Sequence, residues 1–340
     1  MAELSVRWLR GNSFPFLNIF EADERYGVVL FRDAETQTRS RDGHVTAIET
    51  NSEGFRGPDW QVDPSRKSVL LLGDSQVFGY GVAWRNTFAA KLQESLGAEF
   101  QILNAAVPTW GPTEYLLAMD ELTARYHPTS VVFVANVAND WFEAPVSNTI
   151  RTSAQDGWAV RQHKNLASPT WFPGRSWLAN RSQLWFLGKR TLAAANGSKA
   201  LPSSVAKMLL RNVRNLRGTD RFESPLGQSL EKARTLCEQR GCELLAVSLP
   251  LDVQVHRAEW EKYRDTPVNM APSEVLLEDF LRDADALGLR NTNLLSLLRK
   301  ASPGAFLSDD YHLSARGHDA IASELESLIL ASPKRISHAR

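Results

Sequence analysis

The chain has 340 residues, 43 % of them apolar and 23 % charged, and its 39 basic and 39 acidic side chains balance to zero. That size and composition suit a folded chain with a large core and exclude a fibrous or disordered one. The zero net charge argues against a nucleic-acid surface as the main purpose of the chain, so no nucleic-acid partner is expected.

The segment Met1–Trp8 lacks a basic start followed by an apolar core, so no secretory signal is visible. No stretch approaches the ~18 apolar residues that span a bilayer. The chain as given reads as cytoplasmic, with a secreted or periplasmic place left open if a leader is missing. Residues 1–60 are polar and irregular and read as an N-terminal extension. Within it, Val28 to Phe31 and Val45 to Ile48 look like one small hairpin rather than part of a core. Asn51-Ser52-Glu53-Gly54-Phe55-Arg56-Gly57 reads as a loop with glycine-dependent turns.

From residue 61 to 335 strands alternate with helices. Ser68 to Leu72 is a continuous apolar run, as for a strand buried on both faces. Asn86 to Leu96 has helical spacing, with Phe88, Leu92 and Leu96 on one side. Phe100 to Leu103 is a second strand, and Pro112 to Tyr126 a helix with proline in its first turn. Val131 to Val134 is a third strand, Ser229 to Arg240 a helix and Glu243 to Leu249 a fourth strand. Ser273 to Leu287 is helical, a fifth strand lies within Leu289 to Leu295, and Ser314 to Leu330 closes the chain as a helix. This alternation implies an α/β fold with a parallel sheet. Residues 141–225 interrupt it as an insertion carrying Trp141, Trp158, Trp171, Trp177 and Trp185. Its basic run from Lys189 to Arg221 reads as a solvated helical face, with a weak contact to an anionic surface as the sharper alternative. Cys237 and Cys242, five apart at a helix-to-strand turn, read as small buried thiols, because two cysteines make neither a disulfide framework nor a zinc site.

Four polar elements follow apolar strands or precede the last helix. Ser75 ends the first strand within Gly73-Asp74-Ser75-Gln76, and the loop Asn104 to Gly111 follows the second. Asn139 and Asp140 follow the third, and Ser308-Asp309-Asp310-Tyr311-His312-Leu313-Ser314 leads into the closing helix. In an open α/β sheet such loops gather at one rim, where ligands bind. A serine, a histidine, an acid and amide donors are the parts that acyl transfer needs.

Gly73-Asp74-Ser75, Asn139-Asp140 and Asp309-x-x-His312, in this order, resemble the SGNH hydrolases, also called GDSL-type esterases and lipases. The resemblance covers roughly residues 50–140 and 225–330, and Asn51 to Gly57 resembles a leader seen in some bacterial members. It implies a three-layer, flavodoxin-like, five-stranded parallel sheet. It also implies Ser75 as nucleophile, His312 as general base and Asp309 as the acid that holds the ring, with Asp310 as competitor. The oxyanion would be held by the Ser75 N–H, a second-loop N–H from Thr109 or Gly111, and the Asn139 side chain, with Asp140 bracing the loop. The chain departs from the pattern at Gln76, where leucine is usual, and at Thr109, where glycine is usual.

The implied activity is hydrolysis of a carboxylic ester, acetyl or short acyl, on a small molecule or a glycan. An O-acyltransferase acting on a saccharide, a lipase or thioesterase, and a non-catalytic binding module are the alternatives. Trp110 and Trp141, beside the oxyanion residues, are candidate walls for the substrate. His318, inside the closing helix, reads as a capping or packing residue, while His163 and His256 have no visible partner. No metal-ligand spacing, phosphate loop or dinucleotide fingerprint is present, so no metal and no cofactor are expected.

Overall fold

A computed structural model describes residues 1–161, 172–188, 210, 213, 224–263 and 266–331. Trp171, His163 and the basic run apart from Leu210 and Val213 lie outside them, and with them the anionic-surface expectation.

The N-terminal residues form two antiparallel hairpins rather than one. Strand β1 (Phe20–Asp23) pairs with β2 (Gly27–Leu30), and β3 (Glu35–Arg39) pairs with β4 (Val45–Glu49). Val28 and Val45 therefore lie in different hairpins. Nor are these hairpins peripheral: Val28, Leu30 and Ile48 are buried in the main core. Burial alternates along β4, with Thr46 and Ile48 turned inward and Val45, Ala47 and Glu49 outward, and Ile48 joins the core.

Strands β5 (Lys67–Leu72), β6 (Phe100–Asn104), β7 (Ser130–Asn136), β10 (Glu243–Leu249) and β11 (Arg290–Asn293) make the central sheet. Between β7 and β10 lies a third hairpin, β8 (Thr152–Gln155) with β9 (Trp158–Arg161). The sheet order is β6-β5-β7-β10-β11 and every pairing is parallel. This is the doubly wound, flavodoxin-like order. The central strands are apolar and buried along nearly their whole length, because helices cover both faces. The Phe88–Leu96 helix packs on the closing Ala315–Leu330 helix. The Pro112–Tyr126, Pro225–Arg240 and Val275–Ala286 helices pack together as a second group.

Cys237 and Cys242 are joined in a disulfide, not free. The Pro225–Arg240 helix ends at Gly241, whose φ of +74° reverses the chain and brings the two Cα atoms to 4.6 Å. That separation lies within the range a disulfide spans.

No helix among the described residues is long and apolar enough to cross a membrane. The insertion packs on the N-terminal hairpins: β8 touches β1 and β2, and the Trp158 ring meets Phe14 and Phe186 at 5.3 and 5.5 Å.

Candidate active site

Ser75 opens a one-turn helix, Ser75–Phe78, directly after β5. The turn into it is tight: a Cβ on Gly73 would lie 2.1 Å from the Val77 side chain. Asp74 caps the helix by accepting from the Gln76 N–H at 2.9 Å. Gly79, at φ +79°, ends it. Below that end sits Arg56, 1 % exposed, which donates to the carbonyls of Phe78, Gly79 and Val82. The exposed carbonyls at a helix C-terminus favour a cation there. Burial pulls the Arg56 pKa down to about 9.

The His312 ring lies across the nucleophile candidate, with Nε2 2.8 Å from Ser75 Oγ. Its Nδ1 lies 2.9 Å from Asp310 Oδ1. The acid on the ring is thus Asp310, two residues away, not Asp309. Asp309 turns the other way and accepts from the Arg41 N–H at the tip of the β3–β4 hairpin. Burial opposes ionisation of Asp310, but the His312 ring and the Tyr311 and His312 N–H groups outweigh it and hold its carboxyl below the usual range. The rings of Tyr80 and Tyr311 lie 4.7 and 4.4 Å from the imidazole. Lys262, almost wholly buried, donates to the carbonyls of Leu307 and Asp310 and pairs with Asp252 and Glu259. It fixes the loop from beneath.

The second loop carries a strained residue. Thr109 has φ +82°, a region that a β-branched side chain rarely enters. Glycine, the residue usual at this position in the resembled family, enters that region freely. Among the described residues neither its N–H nor that of Ser75 has a hydrogen-bond partner. The Gly111 N–H is not free: it donates to Glu114 Oε2 at 3.1 Å. Gly111 caps the Pro112–Tyr126 helix, and Glu114, three residues on, reaches back to it. That removes Gly111 from the oxyanion candidates.

Directly after β7, the short helix Val137–Glu143 gathers carboxyl groups around one amide. Asn139 Nδ2 lies 3.4 Å from Asp74, 3.3 Å from Asp140 and 3.3 Å from Glu143. Asn136 donates to Asp74 at 2.9 Å through its side chain and to Asp140 at 2.9 Å through its N–H. Tyr115 adds its hydroxyl to both Asp140 oxygens at 3.3 Å. Burial raises the pKa of Asp74, and burial with the neighbouring Asp74 and Glu143 pushes that of Asp140 well above its usual value. Burial lifts Glu143 to about 7, although Arg151 lies 2.9 Å away.

Trp110 and Trp141 are buried at 2 % and 4 % exposure and do not wall a cleft. The Trp110 indole donates to the Val28 carbonyl at 2.7 Å and stacks on Tyr26 at 4.7 Å. Both belong to the core that joins the sheet to the N-terminal hairpins. His318 is buried and accepts from the Phe88 N–H at 3.2 Å, and burial lowers its pKa to about 3. Among the described residues no group of three or more His, Cys, Asp and Glu side chains is arranged to hold a metal ion. An open groove of about 1230 Å³ beside the N-terminal hairpins contains none of the residues around Ser75.

Sequence patterns missed Asn136, Glu143, Arg151 and Lys262. Only Glu114 had left a signal, a capping-box spacing behind Gly111 that marks the glycine N–H as occupied.

No protein-family model and no curated protein matches the chain. It is similar to a solved structure of a GDSL-like lipase from Bacteroides thetaiotaomicron, at 12 % identity and a TM-score of 0.42, over 80 % of this chain and 91 % of that one. It is also similar to a lipase/acylhydrolase from Enterococcus faecalis, at 12 % identity and 0.41, over 79 % and 99 %. A psychrotrophic esterase, EstA, from a Pseudoalteromonas species stands at 12 % and 0.40, over 77 % and 96 %.

Proposed function

We propose that this protein is a serine hydrolase that cleaves carboxylic esters through an acyl-enzyme on Ser75. The observation that carries the reading is the hydrogen-bonded chain Ser75 Oγ–His312 Nε2 at 2.8 Å and His312 Nδ1–Asp310 at 2.9 Å. Two neutral groups at that distance pass a proton without moving far. His312 takes the Ser75 proton as Oγ attacks the ester carbonyl, and Asp310 stabilises the imidazolium that forms. The proton then goes to the leaving alcohol, and water activated by the same ring releases the acid.

The carbonyl oxygen becomes negative in the intermediate, and preorganised donors lower its energy by about 2.7–4 kcal/mol each. The unpaired N–H groups of Ser75 and Thr109 are suited to this task. Asn139 joins them by turning its amide away from its carboxyl contacts, which are long at 3.3–3.4 Å. Asp310 replaces Asp309 in the triad. The substrate we propose is an acetyl or other short acyl ester, on a small molecule or a saccharide.

Turnover of p-nitrophenyl acetate, butyrate and octanoate by wild type and Ser75→Ala tests this. Activity that disappears in the variant supports a Ser75 nucleophile, and the chain-length trend sizes the acyl site. Activity that survives in Ser75→Ala overturns it. Adding a sugar acceptor and looking for acylated sugar instead of free acid separates transfer from hydrolysis.

A further inference from the structure

Gln76 stands next to the nucleophile and is 3 % exposed. Its side chain crosses to the loop of the base, which is 235 residues away in the chain. There Nε2 donates to the Tyr311 carbonyl at 3.1 Å, and Oε1 accepts from the Leu313 N–H at 3.0 Å. The two backbone groups flank His312 on either side. One carboxamide therefore grips the residue before and the residue after the base, while the neighbouring Ser75 meets the ring itself.

We propose that Gln76 is a positioning residue that sets the His312 ring against Ser75. The inference rests on the serine-hydrolase reading above. Space filling does not explain the residue, since leucine is usual here in the resembled family and buries no polar atoms. A buried carboxamide is tolerated only because both its ends are paired. Two contacts from one planar group fix direction as well as distance, which a single hydrogen bond does not. Asp74, on the other side of Ser75, accepts from the Asn136 side chain at the end of β7. The nucleophile is thus flanked by two side chains that each tie it to a different element. Without Gln76 the 311–313 backbone loses a donor and an acceptor, and the ring is free to drift. A displacement of about 1 Å in a catalytic group costs on the order of 100-fold in rate.

The test compares wild type, Gln76→Met and Gln76→Glu. Methionine matches the shape of glutamine and makes neither bond. Glutamic acid in its protonated form makes both, donating to Tyr311 and accepting from Leu313, and burial favours that form. Gln76→Met is expected to lower kcat about 10–100-fold with KM within about twofold. The low-field proton resonance of the His312 Nδ1–H, assigned by its loss in His312→Gln, is expected to shift or broaden in Gln76→Met. In Gln76→Glu it is expected to return below the pKa of the new carboxyl. A Gln76→Met protein with kcat within about twofold of wild type and an unchanged His312 resonance overturns the proposal. If Gln76→Met does not fold, an unchanged His312 resonance in Gln76→Glu on both sides of that pKa overturns it equally. Should wild type turn over no ester, the hydrolase reading fails, yet the His312 resonance still decides whether Gln76 holds the ring.

Discussion

Arg151 donates to the Thr109 carbonyl at 3.2 Å and to the Glu114 carboxylate at 3.2 Å, so one guanidinium spans the strained loop residue and the buried acid in the first turn of the helix that follows. Glu114 is fully buried and also accepts from the N–H groups of Gly111 and Asn148. The loop that presents the Thr109 N–H is therefore held by a charged network rather than by apolar packing alone.

Arg151→Ala is expected to cost about 3 kcal/mol of stability, because it leaves a buried carboxylate without its cation. Ester turnover is expected to fall as well, with the larger effect on kcat, since the Thr109 carbonyl loses its anchor. Urea melts and steady-state kinetics check both. A loss of less than about 0.5 kcal/mol, the size of an ordinary surface substitution, shows that the network is not holding the loop.

Thr109→Gly is expected to raise stability by about 1 kcal/mol. Holding a β-branched residue at φ +82° costs about 1–3 kcal/mol. Glycine removes that cost and gives back about 0.5–1 kcal/mol through its freer unfolded chain. The N–H stays in place, so activity is retained. Thr109→Pro removes the N–H and cannot take φ +82°, so it is expected to abolish turnover through both changes. Thermal melts and ester assays on the two variants check this, and a glycine variant less stable than wild type contradicts the strain argument.

Much of the scaffold was legible because the strands are continuous apolar runs. Glu243–Leu249 and Pro112–Tyr126 have the same ends in sequence and in structure, and other elements differ by a few residues. The meeting of Ser75 with His312 was legible, because loops beyond the strand ends of such a sheet gather at one rim. It was not legible where two neighbours compete: Asp309 and Asp310 are chemically alike, and the choice is made by a hairpin tip 268 residues away that takes Asp309. Trp110 was misread for the same reason, since its partners Tyr26 and Val28 come from a segment read as lying outside the core. The disulfide depended on a left-handed turn at Gly241 that spacing does not reveal.

Asp310→Asn and Asp309→Asn separate the two acids directly. Asparagine at 310 no longer stabilises the imidazolium and favours the wrong tautomer of the ring, and turnover is expected to fall about 10⁴-fold. Asp309→Asn keeps an acceptor oxygen for the Arg41 N–H, and activity is expected to stay within about threefold, as for a residue with no transition-state contact. Equal losses in the two variants, or a larger one at 309, return the acid's role to Asp309.

Glu143 makes stability depend on pH with a definite sign. In the folded protein its pKa is raised from 4.5 to about 7 by burial, with Asp74 adding to the shift and Arg151 and Asn139 opposing it. Between those values the folded state binds more protons than the unfolded state, so stability falls as pH rises from 4.5 to about 7 and levels off above. Glu143→Gln removes this dependence and keeps an oxygen that accepts from Asn139. Asp74 and Asp140 shift the same way but are present in both proteins, so the comparison cancels most of their effect. The stability of wild type relative to Glu143→Gln is expected to drop by about 1–3 kcal/mol across that window, a figure discounted for the partial exposure of the side chain. Urea melts at half-unit intervals of pH measure the difference. A constant difference means that Glu143 ionises as freely in the folded protein as in the unfolded chain. In that case Glu143 holds no extra proton beside Asn139 in the folded protein.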